Sequence, residues 1–321
     1  MASPIVGLHH VTAIASDPQR NLDFYTQVLG LRLVKRTVNF DDPGTYHFYF
    51  GDDTGRPGTL LTFFPWAGAE RGERGAGETI ATAFSVPPGS FAWWKQRLAA
   101  NNIAVTEETH FGSAYLAFDD PDGMRIELVE HTEAAPSSPP RTANLPAAYA
   151  IQGFYGVTLL ELSLGRSAAL LEIMGFAQAG REGDRVRFAP AGNALGRFVD
   201  LVIDEKAYPH QMGAGSVHHI AFRAADDAAQ LEWEKELGQH VFVTDVRDRS
   251  YFHSIYFREP GGVLYEIATD PPGFGIDEPA ESLGEALRIP AWLEPQRARI
   301  EQRLAPITLH KANTPYRRQS E

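Results

Sequence analysis

The 321-residue sequence contains no cysteine. Disulfides, thiolate metal sites, Fe–S clusters and a cysteine nucleophile are therefore excluded. It has no apolar run approaching the roughly 18–20 residues of a membrane-spanning helix. Its start, Met1-Ala2-Ser3-Pro4-Ile5, has neither a basic stretch nor a long apolar one, so no secretory signal is visible. Positive charge is in short supply: 29 Lys and Arg stand against 41 Asp and Glu, a net charge of −12. That balance disfavours nucleic-acid binding, because phosphate contacts need a basic surface. What remains is the expectation of a soluble, cytoplasmic protein without membrane or nucleic-acid partners. Hydrophobic residues at 43% and charged residues at 22% are near globular averages, which argues against wholesale disorder.

The chain reads as a repeat. One segment runs from Gly77 through Ile80-Ala81-Thr82-Ala83-Phe84 to Asp120-Pro121-Asp122-Gly123 and Glu127. Another runs from Gly215 through Val217-His218-His219-Ile220-Ala221-Phe222 to Glu259-Pro260-Gly261-Gly262 and Glu266. Each has a short apolar strand, a helical stretch (91–100 and 225–237) and an acid-Pro-x-Gly turn, with a glutamate six residues after the proline. A second pair precedes these. Leu8-His9-His10-Val11-Thr12, a helix over 17–28 and Leu29-Gly30-Leu31 match Phe154-Tyr155-Gly156-Val157-Thr158, a helix over 166–173 and Met174-Gly175-Phe176. The fold expected is α+β: four βαβββ modules over 6–65, 79–131, 150–204 and 215–270, forming two open, barrel-like domains. The N-terminal half, 1–133, holds modules one and two, and the C-terminal half, 147–273, holds three and four. A Pro/Ser-rich linker over 134–146 joins them, and an extension over 274–321 follows, with a helix over 296–304 and a frayed end. The acidic, glycine-rich stretch 70–78 reads as a mobile loop.

Two of the modules open on a His-His pair, His9-His10 and His218-His219. Neighbours on a strand point to opposite faces, so one histidine of each pair is expected to face a barrel interior and the other the opposite side. Two such pairs at matching strand positions, with the strand-borne Glu266, are poorly explained as packing. Two neutral imidazoles and one carboxylate form a facial set with open coordination positions, suited to non-haem Fe(II), with Mn(II) as an occupant of the same ligands. Gly156 stands where module one has His10, and Ala81 where module four has His219. The set is therefore complete only if module one pairs with module four and module two with module three. Glu127, the counterpart of Glu266, is expected to be structural or on the surface.

The motifs Gly7-Leu8-His9-His10-Val11-Thr12, Val217-His218-His219-Ile220-Ala221-Phe222 and the run from Tyr256 through Glu259-Pro260-Gly261-Gly262 to Glu266 resemble the vicinal oxygen chelate superfamily of glyoxalases, fosfomycin-resistance proteins and extradiol dioxygenases. More narrowly, they resemble its hydroquinone and 2,6-dichlorohydroquinone ring-cleaving group. The resemblance covers nearly the whole chain. It implies that His10, His219 and Glu266 are the metal ligands, with His9 and His218 behind them or against substrate. Thr12 shares strand parity with His10 and is expected to face the same pocket. The resemblance also points to Arg249, holding a phenolate, and Tyr256, exchanging a proton with substrate. Arg258 and Tyr265, close by in the motif, are the alternatives. The implied activity is Fe(II)-dependent, extradiol-type cleavage of a hydroquinone-like ring, with a small phenol and O2 as partners and homo-oligomerisation left open. A metal-dependent isomerase or thiol transferase is the second reading, and a ligand-sequestering binding protein the third. Fold alone does not separate them.

Overall fold

The computed structural model describes residues 4–131 and 145–310. The first module comprises β1 (Leu8–Ala15), α1 (Pro18–Asp23), β2 (Arg32–Val38), β3 (Tyr46–Gly51) and β4 (Leu60–Pro65). The second is β5 (Glu78–Val86), α2 (Phe91–Ala100), β6 (Thr106–His110), β7 (Ser113–Asp119) and β8 (Arg125–Glu130). The third is β9 (Gly153–Glu161), α3 (Gly165–Ile173), β10 (Phe176–Glu182), β11 (Arg185–Pro190) and β12 (Phe198–Ile203). The fourth is β13 (Val217–Ala224), α4 (Asp227–Leu237), β14 (Arg247–Asp248), β15 (Phe252–Arg258) and β16 (Leu264–Pro272). A last helix, α5 (Arg297–Arg303), lies in the C-terminal extension. The expected linker falls outside the described residues except for Leu145 and Pro146, and the end from 311 onward falls outside them entirely.

Local chemistry sets the helix starts. Asp17 accepts a hydrogen bond from the Arg20 amide at 2.8 Å, and Pro18 opens α1. Asp226 caps α4 in the same way through the Ala229 amide, at 2.8 Å. The expected helix over 17–28 is α1 continued by a π-helical turn, Phe24–Val28, and closed by Gly30 at φ +70°.

Two eight-stranded curled sheets result. One has the order β14-β15-β16-β13-β1-β4-β3-β2, the other β10-β11-β12-β9-β5-β8-β7-β6. Modules one and four thus share a sheet, as do two and three, joined by antiparallel β1–β13 and β5–β9 pairs. Strand alternation divides the side chains. Val11, Ile220, Phe257, Tyr265 and Ile267 enter a core with Leu22, Trp94, Leu171 and Trp233 from the helices. His10, Thr12, His219, Ser254 and Glu266 alternate with these residues along the same strands, so they point to the other side.

Residues 71–76 do not form a mobile loop, contrary to the expectation for 70–78. They run beside 209–214, with bridges from Arg71 to Ala214, Glu73 to Gln211 and Ala76 to Pro209. The glycines permit this contact. A Cβ on Gly72 would lie 2.3 Å from Ser216 Oγ, and one on Gly75 would lie 2.3 Å from the Tyr208 carbonyl. The C-terminal extension packs on β2, where Leu287 bridges Arg36. Lys35 is fully buried and ion-paired with Asp277 at 2.6 Å and with Glu278. Phe274 and Leu283 close an apolar cluster with Tyr49, Tyr251 and Phe252. Among the described residues no helix is long and apolar enough to cross a membrane.

Candidate metal centre and active-site cavity

The antiparallel β1–β13 pair carries two bulges. Leu8 faces Phe222 and His10 faces Ala221, leaving His9 as the extra residue; Thr12 faces His219 and Ala13 faces Val217, leaving His218 as the extra residue. A bulge breaks the alternation of faces. The two histidines of each pair are consequently not on opposite faces, as the sequence suggested, but in contact. His9 Nδ1 lies 3.0 Å from His10 Nδ1, and His218 Nδ1 lies 2.8 Å from His219 Nδ1.

His10, His219 and Glu266 converge. Their facing atoms are 3.2 Å apart between the two Nε2 atoms, 3.3 Å between His10 Nε2 and Glu266 Oε2, and 3.0 Å between His219 Nε2 and Glu266 Oε2. All three side chains are buried. Burial alone would raise the Glu266 carboxyl, but His10 and His219 hold it well below its ordinary range. Burial holds His219 below the ordinary imidazole value and therefore neutral. Glu266 Oε1 accepts a hydrogen bond from Ser254 Oγ at 2.5 Å, whereas the buried Oε2 has no hydrogen-bond partner. An ionised oxygen left unpaired between two imidazole nitrogens fits a cation. Separations of 3.0–3.3 Å also suit donors at about 2.0–2.2 Å from one ion.

The remaining histidines orient these. With Nε2 turned to the cation position, a neutral His10 carries its proton on Nδ1 and donates it to His9, whose own far side meets the Thr269 backbone. The same logic joins His219 to His218, which burial pushes down to about 3. Both bulge histidines are thus neutral acceptors that set the tautomers in front of them.

The cluster forms part of the lining of a cavity of about 400 Å³, walled by Phe40, Phe64, Trp66, Phe252 and Leu264. Of the residues singled out in the sequence, His218, Arg249 and Tyr256 also line it. Arg249 Nε donates to the Tyr256 hydroxyl at 3.1 Å, and the Tyr256 ring meets His219 edge-on at 5.8 Å. Burial keeps the Tyr256 phenol well above its usual pKa, and therefore protonated. Arg258 and Tyr265 are not in the lining. Arg258 is exposed and bonds the Gly262 carbonyl, and Tyr265 packs in the core on Phe222 and Phe257. Thr12 is fully buried behind the cavity wall, 2.8 Å from Thr62 Oγ1.

Sequence reasoning missed His47 and Tyr49. His47 Nε2 bonds Thr62 at 2.9 Å and its Nδ1 takes the Tyr49 hydroxyl at 2.9 Å, so Thr12, Thr62, His47 and Tyr49 form one string. The signal was their shared parity in Tyr46-His47-Phe48-Tyr49-Phe50, on the strand next to β4. Asp41 and Asp42, on the loop at the cavity rim, carried no comparable pattern.

Comparison with known proteins agrees with this architecture. Residues 7–128 match the model of the Glyoxalase/Bleomycin resistance protein/Dioxygenase superfamily. The chain is 50% identical over 313 residues to MhqO of Bacillus subtilis, named provisionally as a ring-cleaving dioxygenase; the match covers 97% of this chain and 99% of MhqO. It is 36% identical over 302 residues to the chlorohydroquinone/hydroquinone 1,2-dioxygenase of Sphingobium indicum, covering 90% and 93%. A crystal structure described provisionally as a dioxygenase from Bacillus subtilis superposes with a TM-score of 0.92 at 49% identity, over 97% of this chain and all of that one. Glyoxalase I from Zea mays shares the fold, with a TM-score of 0.61 at 13% identity over 82% and 92% of the two chains. With two matched module pairs, a buried His/His/Glu cluster and relatives of this kind over its full span, the chain belongs to the glyoxalase/bleomycin resistance/dioxygenase superfamily, among its ring-cleaving dioxygenases.

Proposed function

We propose that the protein is a cytoplasmic, Fe(II)-dependent, extradiol-type dioxygenase that opens a hydroquinone-like ring with O2, both oxygen atoms entering the product. The observation that carries the reading is the convergence of His10, His219 and Glu266 within 3.0–3.3 Å beside an aromatic-lined cavity. Three protein donors on one side leave room for other ligands, the pattern associated with Fe(II) that binds O2. These three residues would hold the metal, and Mn(II) is compatible with the same donors. Bound Fe(II) supplies a Lewis acid and electron relay between the ring and O2.

The other residues manage charge and protons. Arg249 Nε orients the Tyr256 hydroxyl, and the protonated Tyr256 presents its O–H to the substrate oxygens and stabilises negative charge on the ring. Neutral His218, whose Nδ1 accepts from His219, carries its proton on Nε2 and adds an N–H donor to the cavity lining. Phe40, Phe64, Trp66 and Phe252 hold the ring and exclude water. The substrate class is supported by the full-length likeness to a protein named for chlorohydroquinone and hydroquinone.

Oxygen uptake tests the reading. Protein reconstituted anaerobically with Fe(II) is offered hydroquinone, methylated and chlorinated hydroquinones, and catechol. Stoichiometric uptake with the hydroquinones is expected, falling at least about a hundredfold in Glu266→Gln. No uptake with any ring, despite a filled metal site, would overturn the proposal in favour of an isomerase or thiol transferase.

A further inference from the structure

The cavity has a marked charge pattern at its rim. Among the described residues lining it, Arg249 is the one side chain with a guanidinium or ammonium group. That group is already paired: Nη1 lies 3.2 Å from Asp41 Oδ2, while Nε serves Tyr256. Asp42 stands beside Asp41 on the same rim. It accepts hydrogen bonds from Trp66 Nε1 at 3.0 Å and Thr45 Oγ1 at 3.1 Å, which hold its carboxyl below the ordinary range. The rim loop is braced from outside by the C-terminal extension. Trp292 meets Phe40 edge-on at 5.5 Å, and Arg303 lies 3.9 Å from Asp42. Asp41 therefore engages the lining's one cation, Asp42 stands beside it with Arg303 behind, and the rest of the lining is aromatic rings, imidazoles, Asn39 and Leu264.

We propose, resting on the dioxygenase reading above, that Asp41 is a specificity-determining residue: by occupying Arg249 at the rim, it selects rings without an anionic substituent over carboxylated ones. A ring bearing a carboxylate would meet the Asp41 charge beside Asp42 and find the lining's one cation engaged, an unfavourable juxtaposition at the cavity mouth. A methyl or halogen substituent meets only the aromatic wall. Neutralising Asp41 frees Arg249 to pair with a ring carboxylate in the bidentate geometry a guanidinium favours.

The test compares methylhydroquinone, 2,5-dihydroxybenzoate and its neutral near-isostere 2,5-dihydroxybenzamide. Binding to the anaerobic Fe(II) protein is measured by calorimetry, and kcat/KM by oxygen uptake. The native protein is expected to bind the first and third at least about tenfold more tightly than the benzoate. Asp41→Asn is expected to narrow that preference about tenfold through a gain for the benzoate. Glu205→Gln, which makes the same charge change on an exposed residue outside the lining, leaves the preference as it was. Rejection of the benzamide as strong as that of the benzoate would overturn the proposal, because size rather than charge would be the filter. Equal weakening of all three ligands in Asp41→Asn would also overturn it, reducing Asp41 to a structural role. An intact binding preference without oxygen uptake on any ring would sink the dioxygenase reading and leave the charge filter standing.

Discussion

The two sheets of this molecule are built alike and filled differently. The β5–β9 pair carries bulges at Ile80 and Tyr155, the counterparts of His218 and His9. Gly156 faces Phe198 as His10 faces Leu60, and Ala117 faces Glu127 as Tyr256 faces Glu266. Arg187 faces Asp200 where Tyr49 faces Thr62. In the first sheet these positions surround a cavity. In the second, Arg187 is buried on Asp200 and Tyr115, both at 2.8 Å, between the rings of Phe111 and Phe198 at 4.2 and 4.5 Å. The carboxyls diverge accordingly. Glu266 is held well below its ordinary range by two imidazoles, whereas burial pushes Glu127 up to about 7. The scaffold thus provides the bulged strand pair twice, and chemistry follows only where histidines occupy it. A Cβ at Gly156 would sit 2.4 Å from the Phe198 carbonyl, so the second position has no room even for alanine without a backbone shift.

The comparison can be broken most severely in the filled sheet. Arg187→Met leaves the buried Asp200 carboxylate to Arg185 alone, at 3.0 Å, and a loss of up to about 3 kcal/mol is expected in urea unfolding. Oxygen uptake per folded molecule should stay within about twofold of the native protein. A collapse of metal content in this variant would show that the filled sheet supports the site directly. A smaller effect sharpens the contrast between the two bulges. His9→Phe removes the acceptor behind His10, and chelator competition should report a metal affinity about 10–100-fold weaker. Tyr155→Phe, at the matching bulge, should leave that affinity unchanged.

The smallest effect lies where the two sheets meet. Glu161 of β9 and Glu259 of the β15–β16 turn share Ser167, at 3.5 and 2.8 Å. Burial first, and Glu259 second, raise Glu161 from 4.5 to about 8. The folded state therefore retains a proton that the unfolded chain releases near 4.5, and stability falls as pH climbs from there to about 8. Glu161→Gln should flatten this slope by a degree or more in melting temperature, measured between those pH limits. An unchanged slope would assign the pH dependence to other buried carboxyls, such as Asp120.

Much of this architecture was legible in the sequence because it repeats. The matched acid-Pro-x-Gly turns fixed the positions of Glu127 and Glu266, and Gly156 and Ala81 fixed the crosswise pairing of modules. The bulges were not legible. Two consecutive histidines in a strand predict opposite faces, and only the register of the partner strand shows that each pair is turned into contact. The stretch over 70–78 misled for a related reason: its glycines serve close backbone approach rather than freedom. His47 and Tyr49 reach the cavity from β3, whose counterpart β11 carries Arg187 instead, and Asp41 reaches it from a rim loop.

Crosswise pairing also constrains how the molecule comes into being. His10 and His219 are separated by 209 residues, and β1 and β5 each take their antiparallel partner from the other half of the chain. At ordinary rates of synthesis, roughly 10–40 s pass between the appearance of the first ligand strand and the second. Throughout that interval β1 lacks its antiparallel partner, and β5 lacks its own until β9 is made, leaving edges of the kind that recruit foreign strands. The metal centre is in this sense a late event of biogenesis, completed only after the fourth module has closed onto the first.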